Sequence, residues 1–90
     1  MNIEIDSTPI EYYSQRDEDS FFQWAAQLDS VASVDQGILS IDSKLVDDLE
    51  MRELLALLTR YGLSVDQLRV YAESVGMDWV GNKNAYWNKP

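Results

Sequence analysis

Ninety residues with neither cysteine nor histidine, and sixteen acidic side chains against seven basic ones, narrow the field at once. No disulfide framework, thiolate metal site, imidazole base or cysteine nucleophile is available. The 46% hydrophobic and 11% aromatic content fits one domain spanning residues 1–90, because a chain of this size buries about 60% of its unfolded surface and needs no disorder to explain it.

The acidity has an address. Residues 1–50 carry twelve acids against Arg16 and Lys44, a balance of −10; residues 51–90 carry five bases against four acids, or +1. Such a field favours basic partners and repels phosphate backbones, although solubility alone also accounts for it. No apolar run approaches the ~18 residues a membrane span needs. The start lacks a basic segment followed by an apolar one. The expected compartment is the cytoplasm.

Asn2-Ile3-Glu4-Ile5-Asp6 alternates polar and apolar with period two, which predicts a half-buried strand. Ser7-Thr8-Pro9 supplies turn chemistry, and Ile10 to Tyr13 reads as a possible return strand. Asp17-Glu18-Asp19 then marks a helix start, where carboxylates oppose the macrodipole. Phe21, Trp24, Ala25 and Leu28 recur at helical spacing, widened by Phe22 and Ala26, and predict a helix over about 18–29.

Val31 to Ile41 predicts a β-hairpin around Asp35-Gln36-Gly37, with Gly where positive φ is needed. Leu39 and Ile41 share one face. Asp47 and Glu50 sit at capping-box spacing. They open a helix over about 48–61 whose stripe is Met51, Leu54, Leu55, Leu58 and Tyr61, with Leu57 beside it. Gly62 ends that helix. Ser64 and Gln67 form a second capping box, and Leu63 with Leu68 a hydrophobic staple, for a helix over about 65–75 that Gly76 stops. Arg52 with Asp48, and Arg69 with Glu73, have i,i+4 pairing distance. The expected fold is α+β: a small antiparallel sheet from the N-terminal strand and the hairpin, packed on three helices.

Three groups invite a functional reading. Asp17, Glu18 and Asp19 form one acidic cluster; Asp47, Asp48 and Glu50 form another. Neither has the spacing of a calcium loop, and both fall where helix starts expect acids. The same carboxylates suit Arg or Lys of a protein partner. The third group is Trp79, Tyr86 and Trp87, near Lys83 and Lys89. Aromatics of this kind mark interface hot spots or complete a small core. The overall charge has the wrong sign for direct nucleic-acid binding.

Arg52 to Leu57, Arg60-Tyr61-Gly62, Asp66-Gln67-Leu68, Trp79 and Asn82-Lys83 with Tyr86-Trp87 resemble a group of small uncharacterised bacterial proteins. The resemblance covers roughly the C-terminal half. It implies a bacterial or phage origin and says nothing about mechanism.

The residues together point to a non-catalytic binding protein without cofactor or metal. Its partner is expected to be a basic macromolecule, in the manner of an immunity protein or a phage-encoded inhibitor. A structural or regulatory adaptor that could act as a homodimer, using the helical corner and the terminal aromatics, is the alternative. A carboxylate-based metal binder or enzyme ranks last.

Overall fold

The computed structural model describes residues 2–89. Three strands, β1 (Asn2–Asp6), β2 (Val31–Asp35) and β3 (Ile38–Asp42), form one antiparallel sheet in the order β1-β3-β2. Three helices follow the expected order: α1 (Gln15–Gln27), α2 (Asp48–Arg60) and α3 (Asp66–Val75). Short 3₁₀ turns occupy Ser43–Leu45, Asp78–Gly81 and Tyr86–Asn88. The α+β expectation holds.

Period-two alternation sorts the sheet into two faces. Ile3 and Ile5 of β1 stand opposite Ile41 and Leu39 of β3, and all four are buried among the helices' apolar residues. The hairpin closes through Gln36 and Gly37, both at positive φ (51° and 82°), which matches the twist of the flanking strands. A bulge between Val31 and Ser33 breaks the regular register of β2.

No strand forms over Ile10–Tyr13. The Asp6 carboxylate accepts from the Thr8 N–H at 2.9 Å and hydroxyl at 2.7 Å, and the Ile10 N–H donates to the Ser7 carbonyl at 3.1 Å. These bonds turn the chain away from β1, and it runs on to α1. That helix starts earlier than expected because Ser14 caps it, accepting from the Asp17 N–H.

The helix α2 is the centre of the core. Met51, Leu54, Leu55, Leu57 and Leu58 are all fully buried. Leu57 is therefore core and not merely a flank of the stripe; α1 and the Tyr86–Asn88 turn both pack on this helix. At its end the Leu63 N–H donates to the Leu58 carbonyl (2.8 Å) and the Gly62 N–H to that of Thr59 (3.2 Å). This is a Schellman closure, with Gly62 at φ 75°. Leu63 itself is only half-buried, and α3 begins at Asp66 with Ser64 accepting from the Asp66 N–H.

Both expected arginine pairs are replaced. Arg52 stacks over the Trp79 ring, 4.3 Å from its centroid. Arg69 pairs with Asp66 and donates to the Asn88 side-chain oxygen at 2.6 Å. Arg52 gains a cation–π contact with the indole face, and the planar fork of Arg69 reaches both an exposed carboxylate one turn back on its own helix and an amide oxygen of the terminal turn.

Candidate functional site

The first acidic cluster is tied into the start of α1. Asp17 accepts from the Tyr13 N–H at 3.0 Å, and Asp19 from the Gln15 side-chain amide at 3.0 Å. Asp17 also stands near Tyr61 at the end of α2, whose phenol is held above its ordinary pKa by burial and then by this carboxylate. Tyr12 is likewise raised, by burial first and by Glu18 next.

The second cluster opens α2. Asp47 caps the helix by accepting from the Glu50 N–H at 2.8 Å. Glu50 does not return the favour. Its carboxylate instead accepts from the Ser30 N–H (2.9 Å) and hydroxyl (2.7 Å). Asp48 is exposed in the first turn.

These contacts fix where the clusters lie. Asp17 and Phe21, early in α1, meet Tyr61 at the end of α2, the two rings being 4.9 Å apart. Ser30, after α1, meets Glu50 at the start of α2. The two helices thus run antiparallel, and a thirteen-residue helix is about 20 Å long. The two acidic clusters occupy opposite ends of the helical layer and make no common surface.

The aromatic tail folds back. Trp79 and Trp87 meet edge to face at 5.9 Å, and the Trp87 indole N–H donates to the Val80 carbonyl at 2.7 Å. Asn88 clasps the turn, donating to the carbonyls of Val80 and Asn82 at 2.8 Å each. Val80 is buried, and both tryptophans pack on the core. Tyr86 alone of the three candidates is left 51% exposed.

A different set of carboxylates shares a surface. The sheet residues opposite in phase to the buried ones are Asn2, Glu4 and Asp6 on β1, Ile38, Ser40 and Asp42 on β3, and Ser33 and Asp35 on β2. Four of these eight are acidic, and no strand contains a lysine or arginine. Asp6 and Asp35 both stand opposite Ile38 from its two sides, about 10 Å apart at ordinary strand spacing. Glu4, Asp6 and Asp35 are exposed. Asp6 is held below its ordinary pKa, mainly by the Thr8 N–H and hydroxyl, so its charge persists into acid.

The two contiguous acidic runs lie at helix starts, off this face. Its acids are dispersed at positions 4, 6, 35 and 42. The alternation of β1 was a signal for Glu4 and Asp6; adding Asp35 and Asp42 required the strand order. Among the described residues, no three carboxylates converge to hold a metal ion, and no helix is long and apolar enough to cross a membrane. Comparison with protein-family models, with curated proteins and with solved structures found no match.

Proposed function

We propose that this protein is a non-catalytic binding protein whose outer sheet face engages a basic macromolecular partner. The observation that carries this reading is the co-location of Glu4, Asp6, Asp35 and Asp42 on one sheet face without an opposing cation on any strand. Concentrated like charge raises the local potential and speeds encounter with a partner of opposite sign. An inhibitor that covers the basic surface of a toxin or of a nucleic-acid-processing enzyme is the concrete form. The resemblance of the C-terminal half to small bacterial proteins makes a bacterial or phage setting the expected one.

The adaptor alternative draws less support. Two of its three aromatics, Trp79 and Trp87, are committed to the protein's own packing. Tyr86 remains available, so Tyr86→Ala with sedimentation separates the readings. Loss of a dimer in that variant would favour the adaptor.

The test of the proposal is affinity capture on the immobilised full chain, eluted with graded salt. A stoichiometric basic protein released as salt rises supports the reading, because exposed charge pairs are screened beyond about 8–10 Å. Recovery of no such protein counts against it.

A further inference from the structure

The outer edge of β1 is open, and its chemistry specifies what fits there. In an antiparallel ladder, backbone groups point alternately to one neighbour and the other. The Ser7 N–H donates to the Gly37 carbonyl, and the Asp42 N–H to the Ser30 carbonyl on the opposite side of β3. Counting back in twos through the β1–β3 register, Ile3 and Ile5 bond to β3, while the N–H and C=O groups of Asn2, Glu4 and Asp6 point to the free edge. Among the described residues, none of these backbone groups has a partner outside the sheet.

The two edges of the sheet differ. The bulge near Ala32 disrupts β2, a common protection against added strands. β1 has five consecutive residues in unbroken register, with no proline or lysine. A groove of about 420 Å³ runs between it and α3, lined by Asn2, Ile3, Glu4, Val70, Tyr71 and Ser74. Val70 is 68% exposed there.

We infer that β1 accepts an extended segment of the partner as a fourth strand, one that alternates cationic and apolar residues. This rests on the basic-partner reading above and adds the mode of contact. The added strand's cations would stand on the outer face beside Glu4 and Asp6. Its apolar residues would fall on the other face, beside Ile3 and Val70. A second copy of this chain does not fit. Full antiparallel pairing of two β1 strands puts Glu4 opposite Glu4, and like charges directly opposite are destabilising. It would also join two outer faces that each carry four acids.

The experiment uses the nitrogen-labelled full chain and capped seven-residue peptides. One alternates Lys and Val; a second has the same composition in blocks. The alternating peptide is expected to protect the Glu4 amide from hydrogen exchange and to shift Ile3 and Val70. The block peptide should bind roughly tenfold more weakly, the sum of several cross-strand pairs. Equal binding of the two, with shifts spread over many acids, overturns the added strand and leaves the acidic-surface reading intact. No binding by either also overturns it, while the capture experiment still judges that reading separately.

Glu4→Pro removes the edge-facing N–H at a position where an edge strand tolerates proline; Glu4→Gln keeps it. Binding weaker in Glu4→Pro than in Glu4→Gln is expected, and equal binding overturns the proposal. Methylating alternate backbone nitrogens of the alternating peptide repeats the test on the unaltered protein: one of the two methylation registers should abolish binding, and retention in both overturns it.

Discussion

Glu50 accepts two hydrogen bonds from Ser30, one from its N–H and one from its hydroxyl. Ser30 is fully buried and lies between the end of α1 and the start of β2. One carboxylate at the head of α2 therefore anchors the junction that orients the hairpin. Glu50→Ala leaves two buried donors of Ser30 unsatisfied and is expected to destabilise by about 2–3 kcal/mol. Glu50→Gln retains an acceptor and should lose about half as much. Urea denaturation of both variants measures the difference. Equal, negligible losses would mean the bonds carry no weight.

The hairpin and the helical corner each contain a glycine at positive φ, but the surroundings differ. A Cβ on Gly62 would meet nothing within 4 Å, whereas one on Gly37 would lie 2.9 Å from the Thr8 Cγ2. Gly62→Ala should cost about 1 kcal/mol, from backbone strain alone. Gly37→Ala should cost about 1–2 kcal/mol more because of the contact. Thr8→Ser removes that methyl and keeps the hydroxyl bonded to Asp6, so the double variant should recover much of the excess. Thermal denaturation of the four proteins reads the cycle.

Much of the fold was legible because each element carries local instructions. The hairpin glycine, the Asp47 cap and the Gly62 stop all act within four residues of where they stand. The failures are of another kind. Glu50 was at the right spacing to bond back to Asp47, yet it turned to Ser30, twenty residues away. Arg52 likewise preferred Trp79 to a neighbour on its own helix. Such side chains choose among partners that only tertiary packing supplies. The candidate site shows the same division: helix-start carboxylates stood out as runs, while the sheet-face acids needed the strand order to be seen together.

Packing of the tail has its own consequence. Asn88 bonds Val80, Asn82 and Arg69 at once. Asn88→Ala should release the terminal turn at a cost of about 1–3 kcal/mol. Trypsin cleavage after Lys83 should accelerate, and tryptophan fluorescence should change as Trp87 leaves Trp79. Unchanged proteolysis would show that the clasp is dispensable.

Alkaline pH should weaken the α1–α2 contact. Tyr12 and Tyr61 have their pKa values raised, burial being the first cause in each. The folded state then holds these protons more tightly than the unfolded one. Their contribution is fully present below the unfolded value near 10 and is lost as pH rises through the higher folded values. Stability measured in urea between pH 8 and 12 should fall above about pH 10, and Tyr61→Phe should reduce the slope. An unchanged slope would contradict the assignment to Tyr61.

The acidic sheet face is tested most directly by neutralising it and comparing partner retention. One variant combines Glu4→Gln, Asp6→Asn, Asp35→Asn and Asp42→Asn, whose side chains keep an oxygen acceptor. The control removes the same charge at exposed Glu11, Asp48, Glu73 and Asp78. Salt-graded elution of the captured basic partner from the wild-type chain and from both variants is the measurement. Early elution from the sheet variant, with the control close to wild type, is the expected result; equal retention by the two variants would contradict a binding role for that face.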